Sequence, residues 1–332
     1  MSRAKLKELS IELPLFPVTA VGSYPKPKNL KVARTRFGRG KASAEELQRA
    51  TDEALEFWIR EQERIGLDVL VHGEMERGDM VAYFADEMDG FERGGLVRSY
   101  GNRYYHKPII VGEVRWRRPM TVDTWRRAQA LTDRPVKGML TGPYTMMDWS
   151  FVDYYRNRRE TALALAREIR NEVEALVEAG CKIVQIDEPA TSVRPSEIDL
   201  VAEVGHVVTD GLPAYFINHI CYGRFAPVYP ALLELPVDNF DMEASNSQMD
   251  LLDLFGREPP RRDITVGVVD SHSHVVETPE QVMERARAAR EVLPDEAIWL
   301  DPDCGLKTRT VEESVGKLEA IVAVARELRA TG

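Results

Sequence analysis

The sequence predicts an α/β protein folded as a (β/α)8 TIM-type barrel. Three observations carry this. Eight short β-rich runs recur along the 332 residues, amphipathic helical stretches separate them, and polar or metal-binding side chains gather at the far end of nearly every run. A doubly wound open sheet is the runner-up, weakened because no glycine fingerprint of a dinucleotide fold follows the first run.

In order, the β-rich runs are "VTAVGS" (18–23), "LDVLVHGE" (67–74), "VKGMLTGP" (136–143), "CKIVQIDEP" (181–189), "AYFINHICY" (214–222), "NFDMEAS" (239–245), "TVGVVDSHS" (265–273) and "AIWLDPDCG" (297–305). The clearest helical stretches span 43–66, 158–180, 278–293 and 310–330, with apolar residues at helical spacing. Ser43 followed by Glu46 forms a capping box, and Gly66 and Gly180 stand where helices should stop. "KPIIVGEVRW" (107–116) breaks the alternation. Together with "GLVRSYGNRYY" (95–105) it reads as a β-hairpin excursion, about 91–116, from the loop after the second strand. With no repeat, low-complexity tract or long linker, residues 1–332 read as a single catalytic barrel domain.

A net charge of −10 argues against nucleic acid or an anionic membrane as partner, since counterion release needs clustered Lys and Arg. The short basic stretch "VRWRRP" (114–119) reads as a solvated face. No window is apolar enough to span a bilayer, and the N-terminus lacks an apolar signal core. A cytoplasmic protein is therefore expected. Its three cysteines, Cys181, Cys221 and Cys304, cannot pair completely and would stay as thiols there.

A barrel concentrates its chemistry at the carboxyl ends of its strands. Those ends offer Ser23, Glu74, Gly142, Asp187, His219 with Cys221, Glu243, His272 and Cys304. His219 and Cys221 lie two apart on one strand and so face the same point. With Glu243 and Cys304 from neighbouring strand ends they supply an imidazole, two thiolates and a carboxylate, a set that suits tetrahedral Zn²⁺. Taken alone, the H-x-C pair reads equally well as a hydrogen-bonded His beside an inert Cys. Cys181 opens a strand at the opposite end and is assigned to packing. Two thiolates and a carboxylate outweigh the charge of the metal, so such a centre is a poor Lewis acid for hydrolysis and better suited to holding an attacking thiol.

The other strand ends resemble a holder for a small zwitterion. Glu74 and Asp187 can take an ammonium, or else serve as structural carboxylates paired with arginine, while Ser23 and nearby amides can take a carboxylate. His272 reads either as a proton donor to a leaving group or as a hydrogen-bonded mouth residue, and His274 lies farther into the loop. Trp149 reads as a stacking platform or as core. Met146 and Met147 are assigned to packing.

The strings "VGSYP", "VHGEMERGDMVAYFADEMDGF", "VRSYGNR", "KPIIVGEV", "VKGMLTGPYTMMDWSF", "VQIDEPA", "NHICY" and "DPDCGLKTR" resemble the catalytic C-terminal half of cobalamin-independent methionine synthase, over nearly the whole chain. The resemblance implies a short single-barrel member that methylates L-homocysteine to L-methionine. It implies zinc on His219, Cys221, Glu243 and Cys304, and homocysteine contacts at Ser23, Glu74 and Asp187. His272 would be the proton donor, and Arg103 and Trp149 would lie along the donor's site. Three departures touch the methyl donor. The family's additional N-terminal barrel is not part of the match, Val193 stands where the family uses a glutamate, and Tyr104 replaces a small residue. They favour a methylcorrinoid (methylcobalamin or its carrier protein) over 5-methyltetrahydrofolate or its triglutamate form. Two rival readings are a zinc-dependent alkyltransferase acting on another thiol, such as coenzyme M, and a non-catalytic zinc or methyl-carrier binding protein.

Overall fold

The computed structural model describes residues 2–99, 103–221, 225–229 and 231–331. Its strands are β1 (Met88–Ser99), β2 (Arg103–Trp116), β3 (Gly138–Thr141), β4 (Phe151–Val152), β5 (Ile183–Asp187), β6 (Tyr215–Ile220), β7 (Asn239–Met242), β8 (Asp263–Val269) and β9 (Ile298–Pro302). Six form one sheet in the order β3-β5-β6-β7-β8-β9, and every residue of these strands is buried. Strands covered on both faces read as continuous apolar runs, which explains their plain appearance in the sequence.

The first two expected strands are shorter than the sequence suggests. Each contributes one parallel bridge, Val18 to Leu300 and Leu70 to Val136. Around them the Thr19 N–H donates to the Leu300 carbonyl at 3.1 Å, the Val69 N–H to Val18 at 3.2 Å and the Lys137 N–H to Leu70 at 2.9 Å. Pro17 and Pro135 flank these bridges as carbonyl acceptors only, because proline has no N–H to extend the ladder. With these two segments the eight parallel runs make the TIM-type barrel.

By its internal contacts the chain divides into two compact units. The first comprises Met1–Glu76, Thr124–Lys137 and Asp241–Gly332. It contains the helix Ala44–Ile65, whose N-terminus is closed by the expected box: Ser43 Oγ accepts the Glu46 N–H, and Glu46 Oε2 accepts the Ser43 N–H. Gly66, at φ 107°, ends it in the left-handed conformation. The helix buries Ala54, Leu55, Trp58 and Ile59, and the Trp58 ring stacks on Tyr24 with centroids 4.2 Å apart.

The second unit comprises Arg77–Asp123 and Gly138–Phe240. It holds the excursion, β1 paired antiparallel with β2 and β4 added parallel to β2. The hairpin begins at Met88, three residues earlier than expected, and two register shifts bend it. Glu172, buried in the helix Arg158–Glu178, anchors its far end. Its carboxylate accepts the Trp116 indole N–H, the Met120 and Thr121 amides and the Thr121 hydroxyl, each at 2.8 Å. Four donors offset the cost of burying that charge.

Candidate metal centre

β6 ends with His219 one residue before its terminus, and Cys221 follows directly, so their shared facing comes from strand alternation. Both are buried, whereas Cys304, two residues beyond β9, is half-buried. One ligand atom from each of His219, Cys221 and Cys304 lies within 4.8 Å of the other two, a group able to hold a metal ion. Glu243, the fourth expected ligand, follows β7 and is buried, but it stands outside that group. Its Oε1 accepts from Asn246 Nδ2 at 2.6 Å. Cys181 behaves as a packing residue, buried with Sγ 3.2 Å from the Ile183 carbonyl, and burial pushes its thiol up to about 12.

Asp303 is a contributor that sequence reasoning missed. Its Oδ1 accepts the Ala244 and Ser245 amides at 3.1 and 2.9 Å, and Oδ2 accepts Asn246 at 2.8 Å. The residue before Cys304 thus captures the turn that follows Glu243. Burial, reinforced by the Glu243 charge, pushes the Asp303 carboxyl up to about 8 despite these three donors. The only sequence signal was an acid beside the cysteine in "DPDCG".

In the first unit, Ser23 and Glu74 are both buried. Glu74 has φ 57°, a conformation that non-glycine residues seldom adopt, and Lys26 Nζ holds its carbonyl at 3.0 Å. Burial lowers the Lys26 amine to about 8, although the nearby Glu74 charge opposes that shift. The Leu306 amide donates to the Ser23 carbonyl at 2.7 Å, tying the segment after Cys304 to Ser23. His272 sits half-buried in the loop after β8, its N–H on Asp270 Oδ1 at 2.7 Å. His274 is 71% exposed, with Nδ1 2.8 Å from Glu313 Oε1.

In the second unit, Asp187 ends β5, buried, and accepts from Gln185 Nε2 at 2.7 Å. The neighbouring Glu188 was also missed. Its carboxylate caps the helix Pro143–Asp148 through the Tyr144 and Thr145 amides at 3.0 and 2.7 Å and the Thr145 hydroxyl at 2.6 Å. Its own N–H donates to the His219 carbonyl at 2.9 Å. Burial lifts the Glu188 carboxyl to about 7. Trp149 follows that helix half-buried, after the fully buried pair Met146 and Met147. Arg103 opens β2, and its side chain lies outside the described residues. Tyr104 is 68% exposed and Val193 48%.

A family model described as the cobalamin-independent synthase catalytic domain matches residues 16–327. The chain belongs to that family. Among curated relatives, it is 40% identical over 342 residues to the 5-methyltetrahydropteroyltriglutamate–homocysteine methyltransferase of Acidithiobacillus ferrooxidans, covering 99% of this chain and 43% of the relative. The Acidiphilium cryptum protein of the same name is 42% identical, covering 96% of this chain and 44% of that one. The chain thus spans less than half the length of these relatives. Among solved structures, it is similar to a B12-independent methionine synthase from Shewanella sp. W3-18-1 in complex with selenomethionine. The TM-score is 0.86 at 27% identity, covering 96% of this chain and 98% of that one. A methyltransferase from Methanosarcina mazei shares the family's fold at TM-score 0.68 and 15% identity, covering 98% of each chain. Among the described residues no helix is long and apolar enough to cross a membrane.

Proposed function

We propose that this chain is a zinc-dependent methyltransferase that converts L-homocysteine to L-methionine, with His219, Cys221, Cys304 and Glu243 as metal ligands. The observation that carries this is the convergence of one imidazole and two thiols from distant parts of the sequence. Around a tetrahedral Zn²⁺, with bonds of about 2.0–2.3 Å, such donors stand roughly 3.5–3.8 Å apart, within the spread found here. When bound, zinc would take up a thiol sulfur and keep it as a nucleophilic thiolate.

The protein's own groups then have separate tasks. Glu74 and Asp187 would hold the homocysteine ammonium and Ser23 its carboxylate, which aims the sulfur at the donor methyl. Trp149 and Arg103 would line the donor's place. In the transfer a methyl–sulfur bond forms and the thiol proton is lost, while the bond that breaks is methyl–nitrogen in a pterin donor or methyl–cobalt in a methylcorrinoid; the nitrogen case alone needs a proton for the leaving group. His272 would supply the proton that the departing nitrogen takes up. Residues 1–332 would form one catalytic domain, and a reducing compartment, the cytoplasm, would keep the three free cysteines as thiols.

The relatives' names support a methyl-pteroyltriglutamate donor. Apolar Val193, half in solvent where the family uses a glutamate, instead favours a methylcorrinoid, free or on a carrier protein. One assay separates them: purified protein with homocysteine and either 5-methyltetrahydropteroyltriglutamate or methylcobalamin, followed by methionine detection. Methionine from the pterin selects the first donor and from methylcobalamin alone the second. No methionine from either, in zinc-loaded protein, rejects the function. Full turnover by Asp187→Ala with coenzyme M would favour the rival thiol.

A further inference from the structure

The loop 270–277 joins β8 to the helix Pro279–Arg290 and carries His272. It has no helix or strand of its own, so its shape depends on bonds made to other segments. One face of the helix Val311–Thr331 supplies most of them, and Arg285 of the helix Pro279–Arg290 adds its Nη1 3.6 Å from Glu277 Oε1. Lys317, whose side chain has no exposed surface, donates to the Val275 carbonyl and, at 2.7 Å, to Glu277 Oε2. The other Glu277 oxygen accepts the Asp270 N–H at 2.7 Å, and Asp270 Oδ1 in turn accepts the His272 N–H at 2.7 Å. One turn earlier on the same helix face, Glu313 meets His274. Between them lies Gly316, where a Cβ would stand 3.0 Å from Val276 Cγ1, so the absent side chain lets the loop lie against the helix.

We propose that Lys317 and Glu277 are positioning residues, a buried ion pair that sets the backbone of loop 270–277 and so aims His272 at the departing group of the methyl donor. A buried Lys–Glu pair is a poor source of net stability, because desolvating both charges offsets their attraction. What this pair provides is a continuous path of bonds from the helix to the His272 amide. The inference rests on the proposed methyl transfer and on His272 as its proton donor.

The test uses the zinc-loaded chain and the double variant Lys317→Met/Glu277→Gln, which removes both charges together and leaves neither buried alone. His272→Ala and His274→Ala serve as references. Amide hydrogen exchange reads the clamp without reference to activity, and exchange at Asp270 and His272 is expected to quicken in the double variant. Its kcat with the pterin donor should fall about 10- to 100-fold while the homocysteine KM holds. His274→Ala should match the parent. Unchanged exchange at Asp270 and His272 overturns the clamp. Faster exchange with unchanged kcat, or a homocysteine KM that rises in step with the loss of kcat, overturns its role in aiming His272. A parent that makes methionine from neither donor defeats the proposed function instead, one that uses only methylcobalamin overturns the aiming of His272 at a departing nitrogen, and in both cases exchange alone then decides whether the clamp exists.

Discussion

One methyl group placed at Gly267 should weaken metal binding without touching a ligand. Gly267 lies in β8, and a Cβ there would stand 2.2 Å from Asp303 Oδ1, 2.8 Å from Asp303 Cα and 3.1 Å from its N. Non-bonded heavy atoms settle at about 3.5 Å, so Oδ1 must retreat by about 1 Å. Because main-chain atoms of Asp303 are also too close, turning its side chain cannot clear the clash. The displacement then runs two ways: along the chain into Cys304, and through the Asp303 bonds to Ala244, Ser245 and Asn246 into the turn beside Glu243. Overpacking of this kind costs about 1–3 kcal/mol of stability. Loss of a group that orients a ligand lowers metal affinity about 10- to 100-fold, or about 1.4–2.7 kcal/mol. Competition against a chromophoric zinc chelator measures the affinity of Gly267→Ala, and thermal melts of the metal-free protein measure its stability. Gly256→Ala is the control, since its Cβ meets only Val292 Cγ1 at 3.7 Å. It should gain about 0.4–1 kcal/mol and bind zinc as the parent does. A Gly267→Ala protein that melts lower yet holds zinc with parental affinity refutes the reasoning.

Three further expectations concern the expected ligands and the packing residue Cys181. Glu243→Gln should lower zinc affinity about 10- to 100-fold while keeping an acceptor for Asn246, and equal affinity would remove Glu243 from the ligand set. In chelator-stripped protein a thiol reagent should find half-buried Cys304 first and fully buried Cys181 only on unfolding. Cys181 also has a pH signature: burial raises its folded pKa from 9.0 to about 12, so above pH 9 the unfolded chain loses this proton first. The parent should therefore lose stability between about pH 9 and 12 relative to Cys181→Ala, and parallel melting curves across that window would contradict the assignment.

The barrel was legible because its signals are local. Each of the six expected runs from 136 onward contains a strand, and the Ser43 box and Gly66 stop appear as read. The first two runs fell short for a reason also present in the sequence, prolines at 17 and 135. His219, Cys221 and Cys304 could be picked out because strand ends of a barrel share one face, and the structure brings these three together. Asp303, Glu188, Glu277 and Lys317 could not be read in this way. In sequence they resemble any surface charge, and their partners are mostly backbone groups of segments far along the chain.

Those missed residues share a physical pattern that bears on how the site works. Beside three of the expected functional residues stands a buried carboxylate that accepts from backbone amides: Asp303 before Cys304, Glu188 after Asp187, and Glu277, which also accepts from Lys317, behind the loop of His272. Burial makes each charge costly, as the raised carboxyls of Asp303 and Glu188 record, so a fold selected only for stability would place apolar residues there. A carboxylate accepting backbone amides does what an apolar side chain cannot, because directional bonds fix the path of the chain on either side of it. Thiol alkylation needs sulfur, methyl carbon and leaving group in line, a geometry in which a misplacement of about 1 Å can cost a hundredfold in rate. In the proposed methyl transfer, buried acids that grip the backbone beside the expected ligands would meet that demand while leaving the ligand side chains themselves to the proposed metal.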